Sequence, residues 1–482
     1  MKFYCTSSKF FKKLLTTHLI ILTFLGCSKE ATEGATPTLL TLTLIIEGQG
    51  SVNQLEEEFA LNTSLSVKAT PAAGYYFDRW KGFENDVLSD EHDFILTTNL
   101  TLTAVFLPIP QTTEEVALYI PKEIDPNPVF MIENGGTKAY LTSKTGERLQ
   151  TWNFDSKLGN DIELLSDGSL IGLFKPDEVS FSFGGYGGIL RKMSPEGTTL
   201  WEYELNTESE LLHHDFEILP NGNILILVWE GFQAEQAQNL GYDDEGPMYL
   251  EKIIELNPET QKIEWEWRSV DHLIQDHAED GSNFGEVAAH PKKIDLNYYP
   301  NDNGDLMHAN GLYYDAEKDV IFLSVNFYSE VWVIPHQYDT ETTATAAGDL
   351  LFRFGNPQAY GSASPRLFYN NHHPTLVSLD PDTTGRFLIY MNGSLDEQSI
   401  VYEFILPPNF DSDPEAWSSP EVSWSFTDPT LYFGKISGAY RLPNGNTLIC
   451  EGDYGYWEVT PAGKVVWKYQ GDKNFWRGYV YP

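Results

Sequence analysis

Apolar and polar residues alternate in short runs along most of this chain, and the runs are broken by Gly, Asn, Asp and Pro. A period of two marks strands with one buried face, and long stretches with apolar residues at helical spacing are scarce. From residue 116 onward two kinds of unit take turns. One is a strand, a turn and a second apolar strand, at 164–171, 218–227, 312–323, 377–390 and 441–450. Pro220-Asn221-Gly222-Asn223 and Pro443-Asn444-Gly445-Asn446 show the chemistry of such turns, because Asn and Gly accept the positive φ they demand. The other is a hairpin whose second strand holds an aromatic residue, at 142–152, 193–201, 256–265, 333–352, 404–424 and 459–467. One unit of each kind makes four strands, and four-stranded sheets in series predict an all-β protein built as a β-propeller. Five full pairs follow the leading hairpin, and residues 475–482 with 116–132 are expected to complete a sixth blade. Seven blades would result if the insertion at 272–305 hid another. A β-sandwich would not explain the alternating series.

Residues 38–107 follow a different pattern of short alternating strands separated by Gly and Asn turns. Gly48-Gln49-Gly50-Ser51-Val52, Val67-Lys68-Ala69-Thr70-Pro71, Gly74-Tyr75-Tyr76-Phe77 with Trp80, and the closing run Leu100 to Phe106 resemble a divergent internalin-type B repeat, a small β-grasp-like module. That resemblance implies a spacer or adhesion role. Pro108, Pro110 and the polar run to Glu115 read as a linker over 108–115, which leaves 116–482 for the propeller.

The first residues change the picture of where the protein works. Lys9, Lys12 and Lys13 precede an apolar run, 14–25, that is too short to span a bilayer, and Gly26-Cys27 follows. Residues 1–26 therefore read as an export signal. Leu25-Gly26-Cys27 resembles the lipidation box of bacterial lipoproteins, which implies a lipid on Cys27 and a tether over 27–37, with the protein on the periplasmic face or surface of an outer membrane. The formal charge of −39, or −43 without the four lysines of the signal, repels phosphate backbones and makes nucleic acid an improbable partner. Cys450 would be the one thiol left after processing and acylation, and it sits in an apolar strand as a core residue.

The chemistry lies in the repeat. Seven residues before the turn residue of each strand-turn-strand unit stand Asn160, His214, His308, His373 and Ser437. Three of these five are histidines in a chain with 11 among 482 residues. Equivalent positions in successive blades gather around one mouth of the channel, so the three imidazoles are expected to converge. His213 and His372 adjoin them and in extended strands would point the other way. Three imidazoles fit either zinc or proton transfer with a nucleophile. No short spacing such as HExxH supports zinc, and no metal or other cofactor is expected. Asn301-Asp302-Asn303-Gly304-Asp305 lacks the downstream Glu of a calcium loop and reads as an ordinary turn.

These residues carry a family resemblance. His213-His214-Asp215 with Leu219 to Asn223, Met307-His308-Ala309-Asn310, Asp349 to Tyr360, His372-His373 and Ser437 to Ile449 together resemble the bacterial arylsulfate sulfotransferases over about 116–482. The resemblance implies a six-bladed propeller that moves a sulfuryl group from an aryl sulfate to a phenol, without a nucleotide donor, through a sulfated histidine. It implies His373 or His372 as nucleophile, and His308 and His214 as donors or acid/base groups. Where the family places an Arg after the His308 segment this chain has Asn326, a weaker donor without charge. Arg353 or Arg477 is expected to stand in, and His213, Asn326 and Arg353 are the candidate substrate-binding residues. A propeller that only binds a glycan or protein, and a sulfate-ester hydrolase, remain as alternatives.

Overall fold

The computed structural model describes residues 38–53, 57–378, 385–407, 410, 417 and 420–481. The export signal, the tether, Cys27 and the turn at Asp380 lie outside the described residues. The chain divides into two compact units between Pro108 and Ile109.

In the first unit Leu39–Glu47 runs parallel to Leu100–Pro108, which also pairs with Tyr75–Lys81. A second sheet is built on Thr63–Pro71. Phe77, Trp80 and Phe106 are buried between strands. Gly50 is required there, since a Cβ would meet the Phe106 ring at 2.5 Å.

In the second unit the described residues form six antiparallel sheets of four or five strands. Their inner strands are Leu158–Leu164, Glu210–Ile218, Ala309–Asp315, Asn371–Ser378, Gly438–Arg441 and Phe475–Val480. These touch in turn, and the last touches the first, so the series closes as a propeller. The leading hairpin takes Val129–Glu133 and, beyond it, the tail strand Phe475–Val480, paired Val480 to Val129. Val116–Tyr119 joins the other flank of the closure instead, as a fifth strand on Val465–Gln470. The insertion at 272–305 contributes only a parallel pair, Leu273–Ile274 with Ile294–Asp295, and no further blade.

Six apolar clusters fill the space between neighbouring sheets, as with Leu190, Ile226 and Ile254 or Phe322, Phe387 and Phe404. Each such buried side chain contributes roughly 1.5–3 kcal/mol. The aromatic residue repeated in the outer hairpins clamps one blade to the next. Trp152 Nε1 donates to Pro195 O at 2.8 Å, Trp265 to Tyr338 O at 3.0 Å, Trp424 to Pro461 O at 2.9 Å and Trp467 to Lys144 O at 2.7 Å. An indole suits that place because it buries a large apolar face while its N–H finds a carbonyl.

Candidate functional site

Every one of the five positions picked out by the repeat has left-handed backbone: Asn160, His214, His308, His373 and Ser437 have φ between +52° and +114°. In four of the five sheets the pairing with the second strand slips at or beside this residue. Four of the five positions therefore mark β-bulges, each costing about 1–2 kcal/mol in backbone conformation and each redirecting a side chain.

His214, His308 and His372 line one cavity of about 610 Å³ together with Asn160, Phe183, Asn326 and Phe327. The His214 and His308 rings meet edge to face at 4.8 Å. Trp476 lies 6.0 Å from both His214 and His372 and joins the three blades. Gly185, at φ +84°, admits His214, because a Cβ there would stand 2.0 Å from His214 Nε2.

Each ring is held by one nitrogen. His372 Nδ1 is 2.7 Å from Asn392 Oδ1, and the Asn392 amide nitrogen donates to Phe433 O and Ile436 O, both at 2.9 Å. With the amide so oriented, only its oxygen faces the imidazole. His372 Nδ1 must carry the proton, and Nε2 keeps its lone pair. Burial lowers the His372 pKa to about 3, helped by His308 and Arg477 and opposed by Asn392, so the ring is neutral near pH 7. His308 Nδ1 is bonded to Asp305. Burial opposes its charge, but the Asp305 carboxylate, by its charge and its hydrogen bond, outweighs that and raises its pKa above the ordinary value. His214 is pushed well below its ordinary value by burial, then by His308, His213, His372 and Arg477. One cavity thus holds a neutral imidazole with a free lone pair beside one that favours its proton.

The remaining candidates fall elsewhere. His373 lines a separate cavity with Arg477, Tyr440 and Tyr479, and does not join the other three. It shares the left-handed backbone of His214, but Gly438 leaves a slot for its ring, since a Cβ there would meet His373 Nδ1 at 2.6 Å. His213 is fully buried, stacked on Trp229 at 4.0 Å. Asn326 lines the cavity, but its amide donates to Asn371 O at 3.2 Å and accepts from Asn370 at 2.8 Å, so it braces the strand that carries His372. Arg353 is fully buried, paired with Glu330 and bonded to Lys293 O at 2.8 Å, and does not reach the cavity. Arg477 is a tie across the axis, donating to Asp215 at 2.9 Å, Asp161 at 3.3 Å and Asn310 O at 3.0 Å. Among the described residues no group of three or more His, Cys, Asp or Glu side chains is placed to hold a metal ion.

The arylsulfotransferase (ASST) family matches residues 92–394, more than half of the chain. The chain belongs to that family. An arylsulfotransferase takes small aryl sulfates and phenols as its substrates, and two aromatic side chains, Phe183 and Phe327, line the cavity of this member. The divergent InlB B-repeat domain matches residues 40–110 of the same arylsulfotransferase. None of the curated proteins compared matches it. Similar solved structures include a protein of unknown function from Bacteroides caccae, 12% identical with a TM-score of 0.44, covering 73% of this chain and 98% of that one. The Cps50 (Swd1) β-propeller domain from Myceliophteria thermophila is 11% identical with a TM-score of 0.36, covering 76% and 88%. At those scores neither bears on activity.

Two cations that the repeat did not disclose, Lys175 and Lys435, line the arylsulfotransferase cavity. Lys175 follows the apolar strand Leu170–Phe174 and lies 4.1 Å over the Tyr186 ring, and burial followed by Lys157 lowers its pKa. Nothing in the phase of the inner strands pointed to either lysine. Nor did it point to Asn392, or to Asp305, which belongs to the turn read as ordinary.

Proposed function

We propose that this arylsulfotransferase moves a sulfuryl group from an aryl sulfate to a phenol by way of a sulfated His372, without a nucleotide donor. The observation that carries the reading is the pair of opposite partners in one cavity, the Asn392 oxygen on His372 Nδ1 and the Asp305 carboxylate on His308 Nδ1. Nε2 of His372 attacks sulfur, a new S–N bond forms and the S–O bond to the aryl group breaks. His308 gives its proton to the leaving phenoxide. The positive charge on the sulfated ring is shared with Nδ1–H, which donates to Asn392. In the second half an acceptor phenol loses its proton to His308 and attacks sulfur, the S–N bond breaks and His372 is restored. Lys175 and Lys435, which line the same cavity, supply the charge that Asn326 lacks, and this supports transfer over binding alone. We also propose that the chain is exported and anchored by lipid on Cys27.

Incubation with p-nitrophenyl sulfate, with and without phenol, tests this. Wild type is expected to release nitrophenol faster with phenol. His372→Ala should lose roughly 10³-fold or more, whereas His373→Ala should keep most of its rate. Full loss in His373→Ala with an active His372→Ala would overturn the assignment. Release that ignores phenol would make the protein a hydrolase.

A further inference from the structure

Behind His214 lies a chain of buried groups that the transfer steps do not use. His213 Nδ1 is 2.8 Å from His214 Nδ1, and His213 Nε2 is 3.0 Å from Glu251 Oε2. The other Glu251 oxygen accepts from Ala309 N at 2.7 Å. His213 and Glu251 are wholly shielded from solvent. The His213–Glu251 contact is bent away from the ideal hydrogen-bond direction, and neither atom makes a better-directed hydrogen bond, although the Val228 backbone also acts on the His213 ring. Trp229, stacked on His213 at 4.0 Å, holds the plane of the ring.

We infer that Glu251, acting through His213, fixes the tautomer of His214 so that its Nε2 carries a proton and presents a donor to the sulfuryl oxygens. The inference rests on the sulfotransfer reading for its purpose, though not for its geometry. Two arrangements of neutral imidazoles satisfy the chain, and passing the proton from Glu251 to His213 Nε2 leaves the His214 tautomer of the first unchanged. In one, a protonated Glu251 donates to His213 Nε2, His213 Nδ1–H donates to His214 Nδ1, and His214 Nε2–H remains for the cavity. In the other, an ionised Glu251 accepts from His213 Nε2–H, His213 Nδ1 accepts from His214 Nδ1–H, and His214 Nε2 shows a lone pair to the cavity. The first holds one more proton and no net charge.

The burial of Glu251 selects the first, and the proposed substrate agrees with it. A carboxylate with no solvent and a single backbone N–H as donor is a costly anion. Burial accordingly raises the Glu251 pKa well above the ordinary range, and Asp305 adds to this, against Ala309 N and His308. The lone pair of the second arrangement would face an incoming sulfate anion, whereas the N–H of the first would bind it. Glu251 and His213 are thus positioning residues, and the donor lost with the family's Arg is replaced at His214 by a proton held from behind.

Selective ¹⁵N-histidine labelling of the full chain reads the tautomer directly, with the His214 signals identified by their loss in His214→Ala. The expected result is a protonated Nε2 and an unprotonated Nδ1 on His214 in wild type. Glu251→Gln should keep that pattern, because its amide N–H replaces the acid O–H. Glu251→Leu should scramble the tautomer and lower kcat on p-nitrophenyl sulfate by roughly 10–100-fold with little change in KM. A His214 protonated on Nδ1 in wild type would overturn the inference. So would a Glu251→Gln variant as impaired as Glu251→Leu. If Leu prevents folding, the wild-type and Gln spectra still decide. Absence of turnover in wild type would remove the sulfotransfer reading while leaving the tautomer measurement intact.

Discussion

Asp305 and Asn392 divide the labour of the site, since one holds a proton on His308 and the other denies one to His372 Nε2. This has a pH consequence with a definite sign. In the proposed transfer the protonated form of His308 is the acid, and its pKa is raised, so the rate should fall as pH rises through that raised value. In Asp305→Asn the carboxylate that opposed burial is gone. The His308 pKa should then drop below its ordinary value, and the alkaline limb of kcat/KM should move to lower pH. A limb that stays where it was, or moves up, would show that His308 is not the acid. His372, with its pKa near 3, should impose no acid limb until the solution is strongly acidic.

At the scale of elements, the strand-turn-strand units could be read because Asn-Gly turns and alternation leave plain marks in the sequence. The phase of His214, His308 and His373 was legible too, though for a reason that the alternation did not reveal. It marks left-handed backbone, which Asn160 and Ser437 share without being histidine. What could not be read was direction. A bulge breaks the period of two, so the side to which His372 or His373 turns depends on neighbours distant in sequence, Gly438 for one and Asn392 for the other. The same holds for Arg353, whose partner Glu330 lies on the adjacent strand Glu330–Pro335. As a buried pair it should matter to folding and not to chemistry. We expect Arg353→Ala to lower stability by about 3–5 kcal/mol in urea unfolding. Its turnover per folded molecule should match wild type, and a specific loss of kcat would return Arg353 to the site.

For the whole molecule, the two compact units predict separable behaviour. A chain starting at Ile109 keeps all six sheets, the Trp clamps and the cavity. It should unfold in one cooperative transition and turn over p-nitrophenyl sulfate with the kcat/KM of the full chain, and a large loss would mean that residues 38–108 contribute to catalysis. Ring closure has a further meaning in time. Trp476 and Arg477 stand on the tail strand, and Arg477 meets Asp161 across 316 residues of chain. As the protein is synthesised, all three cavity histidines leave the ribosome well before the strand that fastens them together. Until that strand arrives Asp161 and Asp215 face each other without a counter-charge, and the first blade lacks its inner edge. A chain halted before residue 475 would carry His214, His308 and His372 and still have no assembled site.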